Sequence, residues 1–489
     1  MRRLLKWLLG TVTAIVLIVV TVIFVRAFDA RRQPDLKPWH RPLRSDVHAG
    51  DLPASATLAD YLRREDAVFR ELTDRVLPAV AASDRTRVNR YAPDSPVNPL
   101  TFAKNWNRTF EIVPEGPLRG GVLLVHGLTD APYSVKAEAE VYASAGFYAL
   151  CLRMPGHGTV PGALTDVRWE DWRAAARLGA RHVRSRIGPG LPFHFAGYSN
   201  GGALAVQYAL DCLEDASLPK PDRVVLFSPM IGVVRYTGIA AAFAKLVVAV
   251  GAIPYFEKSR WLDIQPEYNP FKYNSFPAFA GQQTAELTGA IQDAIAREVA
   301  NGRIRGMPPI LAFASLVDAT VQTWATVDLL FGRLPDNGSQ LVLYDVNRSA
   351  VALGFLKDSF DARLAALRTD EGRRYRLTLV TNARAGEPEA VARSFAPGST
   401  EAAEIPLGLS WPPQVFSLSH LAVPFRFDDP LFGIEPDTSA SYGLRLGTLA
   451  PRGEKGVLTV PMDQWMRINC NPFFPYEEAR LREWIAAPE

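Results

Sequence analysis

Cysteine is scarce in this chain: Cys151, Cys212 and Cys470 are the only three in 489 residues. They are odd in number, far apart and outside any Cys-x-x-Cys spacing, so neither a disulfide framework nor a thiolate metal site follows, and plain burial is the expected role. An excess of charge of one sign is lacking too. With 54 basic residues mixed among 51 acidic ones and a net charge of +3, the chain carries no electrostatic footprint for nucleic acid. It has no His-Glu-x-x-His, no clustered His/Asp ligand set, no Gly-x-Gly-x-x-Gly and no Walker loop. Metal-dependent hydrolysis and nucleotide chemistry are therefore not expected, and no cofactor is implied. Histidine is sparse as well, at seven: His40, His48, His126, His157, His182, His194 and His420.

What is present begins with a single long apolar run. Residues 7–25 approach the ~20 needed to cross a bilayer, between Arg2, Arg3 and Lys6 on one side and Arg26 on the other. This predicts a transmembrane helix, with residues 1–28 as a membrane anchor, because the run exceeds the roughly 7–15 apolar residues of a cleaved signal peptide. Orientation stays open. Arg26, Arg31, Arg32, Lys37, Arg41 and Arg44 crowd the C-terminal flank and argue for a cytoplasmic domain, whereas a single N-terminal anchor more commonly exports the domain attached to it; the working expectation is extracytoplasmic. Residues 29–55 are charged and proline-containing, as in a spacer. Helical apolar spacing comes next, at Leu58, Tyr61, Leu62, Val68, Phe69, Leu72 and Val76. Residues 29–100 thus read as linker and helical extension, and 101–489 as the globular domain.

In that domain, 102–113 and 121–125 read as a strand pair. Residues 121–125 and 148–152 are apolar without alternation, as in strands buried on both faces. A helix over 169–187, the strand 192–198, a small-residue helix after it, and strands at 223–227 and 309–313 continue the alternation. Strand and helix at this pitch predict α/β architecture: a mostly parallel central sheet with flanking helices. Residues 230–305 do not fit a simple crossover. The apolar stretch 239–255 and the aromatics Trp261, Tyr268, Phe271, Tyr273, Phe276 and Phe279 suggest either a helical cap lining an acyl pocket or extra packing helices.

The strand at 192–198 breaks at Gly197-Tyr198-Ser199-Asn200-Gly201. A serine on a strained strand-to-helix turn needs glycine flanks, because a Cβ there would strike neighbouring backbone. A serine hydroxyl is a poor nucleophile unless a histidine takes its proton and an acid fixes that histidine's tautomer. Where the nucleophile sits on such an elbow, chain order is serine, acid, histidine; only His420 follows Ser199. Asp318, just past the 309–313 strand, is the favoured acid, and Asp345, after residues 341–344, is its competitor. The backbone amides of Asn200, at the helix start, and Leu128, in the turn after the 121–125 strand, are the expected oxyanion donors. His126 precedes the serine and is expected to stiffen that turn.

Together, Val125-His126-Gly127, Pro155-Gly156-His157-Gly158, Trp169-Glu170-Asp171-Trp172, the serine pentapeptide and Ser315-Leu316-Val317-Asp318 resemble the α/β-hydrolase superfamily of serine hydrolases, near its monoglyceride lipases, lysophospholipases and carboxylesterases. The resemblance runs from about Thr109 to Leu330. It implies Ser199, Asp318 and His420 as a triad, the Leu128 and Asn200 amides as an oxyanion hole, and a small acyl ester or lipid as substrate. One feature departs from the pattern. Such enzymes place the histidine about one strand after the acid, but here the two are 102 residues apart. Either a subdomain is inserted at about 346–410, or the last strands are rearranged. The expected function is a membrane-anchored esterase or lipase; an acyltransferase, or a non-catalytic tethered module that binds a lipid or partner, is the alternative.

Overall fold

The structure, a computed structural model, describes residues 31–232, 254–349, 354–447 and 467–487, with isolated positions before residue 31. The apolar run 7–25 is described only at isolated positions, and the stretch 239–255 falls outside the described residues up to 253. No helix among the described residues is long and apolar enough to cross a membrane.

The central sheet is built from β1 (Phe110–Ile112), β2 (Gly120–Val125), β3 (Phe147–Leu152), β4 (Phe193–Tyr198), β5 (Arg223–Phe227), β8 (Ile310–Ser315), β9 (Gln340–Tyr344), β10 (Arg376–Asn382), β11 (Glu389–Phe395) and β12 (Ala402–Ser410). Two short strands, β6 (Trp261–Asp263) and β7 (Phe276–Pro277), pair apart from it. The order across the sheet is β1-β3-β2-β4-β5-β8-β9-β10-β11-β12. Strands β3 to β10 in that order run parallel; β1, β11 and β12 pair antiparallel. The expected pairing of the two strands at 102–113 and 121–125 is corrected: β1 pairs with β3, not β2. A turn signal between two strands does not reveal that a later strand intervenes.

Successive residues of the parallel strands bury on opposite faces. Leu123 and Val125 join Trp172, Leu204 and Leu287 on one side, while Val122 and Leu124 join Tyr133, Tyr142 and Trp484 on the other. That two-faced burial is why β2 to β5 read as unbroken apolar runs. Helices Trp169–Ile187 and Asn200–Glu214 cover the first face and helices Lys136–Ser144 and Phe474–Ala486 the second.

Two expectations about the flanks change. The presumed spacer at 29–55 is largely packed onto the domain: Trp39, Leu43, Val47 and Leu52 are buried. Helix Leu58–Glu71 is stapled beneath by Glu65, which accepts from Thr109 Oγ1 at 2.7 Å and lies 3.3 Å from the buried Arg153 guanidinium. Those apolar residues are scattered among charges, so no period betrayed their burial. In the segment read as a cap, helix Ala278–Ala300 lies along Asn200–Glu214. Trp261 packs edge-on against His40 at 4.8 Å, and Phe271 stacks on Tyr133 at 4.1 Å. Of the six aromatics, Trp261, Phe271 and Tyr273 are buried in interior packing, whereas Tyr268 is exposed.

The 102-residue separation also has a structural reason. After β9 the chain adds helix Asp358–Arg368 and β10 to β12 to the edge of the same sheet, then comes back. Departure and return meet at Asn347, whose N–H donates to Phe416 O at 2.7 Å and whose Nδ2 donates to Val415 O at 2.8 Å. Among the described residues, the insertion widens the sheet and hands the chain back beside β9.

Candidate active site

Parallel strands that end together leave a crevice at their carboxyl ends, where loops from several strands converge. Ser199 follows β4 there with φ 54° and ψ −115°, a left-handed conformation that non-glycine residues rarely adopt. Its N–H donates to Phe227 O at 2.9 Å and its carbonyl accepts from Met230 N at 3.0 Å, so β5 and the loop after it hold the turn. The glycines are required by contact. A Cβ on Gly197 would stand 2.2 Å from Gly201 O, and one on Gly201 would stand 2.1 Å from Val125 O.

His420 lies between Ser199 and Asp318. Its Nε2 is 2.9 Å from Ser199 Oγ, and its Nδ1 is 2.6 Å from Asp318 Oδ2. The other carboxylate oxygen, Oδ1, accepts from the backbone N–H groups of Thr320 at 2.7 Å and Val321 at 2.9 Å. With Oδ1 occupied, Oδ2 faces the ring, and a carboxylate acceptor there assigns the Nδ1–H tautomer, leaving the Nε2 lone pair for the serine hydroxyl. The ring stacks on Tyr198 with centroids 5.4 Å apart. Its loop is braced from the C-terminal region, where β13 (Ser417–Leu418) pairs with β14 (Arg467–Ile468) and Ser419 Oγ donates to Asn469 Oδ1 at 3.1 Å.

Asp345 is committed elsewhere. Arg348 Nε donates to its Oδ2 at 2.6 Å, and Thr381 Oγ1 donates to the same oxygen at 2.8 Å.

The turn after β2 lies against the serine: a Cβ on Gly127 would stand 3.1 Å from Ser199 Cβ. His126 Nε2 accepts from Met154 N at 3.0 Å, so its Nδ1 carries the proton and donates to Gly127 O at 2.9 Å. Burial pushes this imidazole down to about 3, and it stays neutral. It stiffens the turn that carries Leu128, while the Asn200 amide opens the helix on the far side of Ser199. One set of contacts on this turn had no signal in the sequence. Lys272 Nζ donates to Thr129 Oγ1 at 2.9 Å across 143 residues of chain, and the Tyr273 N–H donates to Thr129 O at 2.8 Å.

Among the described residues no group of three or more His, Cys, Asp or Glu side chains could hold a metal ion. A serine, a histidine and an aspartate in one hydrogen-bonded line are an arrangement suited to acyl transfer.

Residues 116–330 match the family described as serine aminopeptidase, S33. A thermostable monoacylglycerol lipase of a Bacillus species (strain H-257) is 28% identical over 229 residues, which span 46% of this chain and 80% of the relative. Two solved structures also align. One, from the metagenome-derived lipolytic enzymes LipS and LipT, has 19% identity over 49% of this chain and 87% of its own, with a TM-score of 0.37. The other, a monoacylglycerol lipase of Paleococcus ferrophilus, has 18% identity over 48% and 88%, with a TM-score of 0.36. Over residues 116–330 this hydrolase is similar to the serine esterases and lipases of the α/β-hydrolase superfamily.

Proposed function

We propose that this protein is a membrane-anchored esterase or lipase that cleaves a carboxylic ester of a lipid, a monoacylglycerol or lysophospholipid, through an acyl-enzyme on Ser199. The observation that carries the reading is the continuous hydrogen-bonded relay Ser199 Oγ, His420, Asp318 at 2.9 and 2.6 Å. In the first half-reaction Ser199 Oγ attacks the ester carbonyl carbon while His420 Nε2 takes its proton. Negative charge collects on the former carbonyl oxygen and is met by the amides of Leu128 and Asn200. The intermediate collapses, the C–O bond to the alcohol breaks, and His420 returns the proton to the leaving oxygen. Water then repeats the sequence: as His420 Nε2 takes its proton, the water oxygen bonds to the acyl carbon, the acyl–Oγ bond breaks, His420 returns the proton to Ser199 Oγ, and a carboxylic acid leaves. Asp318 holds the ring and stabilises its charged form throughout.

The lipid substrate is supported by the 28%-identical monoacylglycerol lipase and by the apolar run 7–25, which as a bilayer anchor of residues 1–28 would keep the site near lipid. In this reading the domain faces the extracytoplasmic side. The test uses the full chain in detergent, beside Ser199→Ala, on p-nitrophenyl esters of short and medium acids, a monoacylglycerol, a lysophospholipid and an aminoacyl p-nitroanilide. The wild type is expected to hydrolyse esters and to take up a fluorophosphonate probe; Ser199→Ala is expected to do neither. An inactive wild type, an active Ser199→Ala, or cleavage of the anilide alone would overturn the proposal. Alkaline extraction of membranes tests the anchor, since the full chain should stay with the lipid and residues 29–489 should not.

A further inference from the structure

Thr129 is the residue after Leu128, and its φ is 65°. A β-branched residue in the left-handed region is a genuine outlier, and such strain persists only when neighbouring structure over-determines it. Here the determinants come from one turn, residues 267–275. The Tyr273 N–H donates to Thr129 O at 2.8 Å, and Lys272 Nζ donates to Thr129 Oγ1 at 2.9 Å while lying 3.1 Å from Asp130 Oδ2. Asp130 in turn closes the turn beneath: its N–H donates to Gly127 O at 3.3 Å. The Lys272–Asp130 pair is therefore a clasp across the backbone segment that contains the Leu128 amide.

The clasp is itself held rigidly. Glu267 accepts the N–H groups of Asn274 at 3.0 Å and Ser275 at 2.8 Å, closing the turn on itself. From the N-terminal extension, the buried Arg90 donates its N–H to Glu267 O at 2.8 Å and its guanidinium to Asn269 O at 3.1 Å. Tyr273 Oη accepts from Thr159 N at 2.7 Å and donates to Gly156 O at 3.1 Å.

We infer that Lys272 is a positioning residue for the oxyanion turn: it holds Thr129 in its strained backbone and so keeps the Leu128 amide aimed at the developing charge, without touching the substrate. This rests on the proposed role of Leu128. An ammonium suits the task because it can donate to a hydroxyl and a carboxylate at once, tying Thr129 to Asp130.

The test is a double-mutant cycle read per active site, with sites counted by fluorophosphonate titration of the full chain. Lys272→Met is expected to lower kcat on a p-nitrophenyl ester about tenfold or more, since loss of a whole oxyanion donor costs about 10²–10³. KM should stay within about twofold, affinity for a trifluoromethyl ketone should fall by the same factor as kcat, and Lys272→Arg should recover most of the loss. Thr129→Gly removes both the strain and the hydroxyl, so Lys272→Met in that background should cost little further. A structural role alone would lower the melting temperature and the number of titratable sites but not kcat per site. Unchanged kcat per site, a loss confined to KM, or full additivity with Thr129→Gly would each overturn the inference. Should Lys272→Met fail to fold, Lys272→Gln reads the same cycle. An inactive wild type or an active Ser199→Ala would sink the parent reading instead.

Discussion

Two aspartates stood as candidates for the acid, and their surroundings separate them at the level of single atoms. Asp318 has one oxygen held by two backbone N–H groups and the other 2.6 Å from His420. Asp345 is nearly buried and neutralised by Arg348 at 2.6 Å. On the proposed mechanism Asp318→Asn should cut kcat by roughly 10³–10⁴ with little change in melting temperature, because an amide favours the wrong imidazole tautomer. Asp345→Asn should do the reverse, leaving kcat within a few-fold but lowering stability by about 1–3 kcal/mol as a charged hydrogen bond to a buried partner is lost. Thermal melts beside steady-state kinetics check both, and exchanged phenotypes would reassign the acid. Gly201 belongs to the same scale. Ser199 could be read from its flanking glycines because the clash that demands them involves only neighbouring backbone, and the pattern is local.

Elements were legible where one helix or strand carries its own period or burial signature. The helix expected at 169–187 is Trp169–Ile187, and the strand expected at 192–198 is Phe193–Tyr198. What elements do to one another was not legible. The excursion through β10 to β12 replaces a short connection by a long one, yet returns His420 to the crevice because Asn347 clasps Val415 and Phe416. Asn347→Ala removes the side-chain half of this clasp and leaves the Val415 carbonyl with one donor fewer. On the proposed mechanism we expect kcat to fall about tenfold with KM little changed, since displacing the proposed base by about 1 Å can cost ~10². A loss confined to KM would show that the clasp serves substrate binding instead.

Across the whole molecule, the C-terminal helix Phe474–Ala486 brings the buried Glu477 near the buried Glu138 of helix Lys136–Ser144 on the second face of the sheet. Glu477 Oε2 accepts from Tyr344 Oη at 2.6 Å and Asn471 Nδ2 at 2.9 Å. Its Oε1 and both oxygens of Glu138 have no hydrogen-bond partner among the described residues. Burial pushes Glu477 up to about 8, and burial with the neighbouring Glu477 charge pushes Glu138 well above the usual carboxylate range. The folded state thus binds the Glu477 proton more tightly than the unfolded chain. That stability is complete below the unfolded value near 4.5 and is lost as pH rises towards about 8. The wild-type melting temperature should therefore decline across that window relative to Glu477→Gln, and parallel profiles from scanning calorimetry would refute the assignment.

By itself the sequence determined the α/β class, the position of the strand-to-helix turn at Ser199 and, through the single histidine after Ser199, the candidate for the proposed base. Each of these is settled by local backbone sterics, by periodic burial or by counting. Only the tertiary structure decided the neighbours of each strand, the burial of the extension at 38–71, and the clasp of Lys272 on Thr129. Strand order depends on which loops close over which others, and a contact between residues 143 apart in the chain leaves no pattern in either segment. The path from Asp318 to His420 looked too long on the line of the chain, and it closes because three added strands return to the point they left.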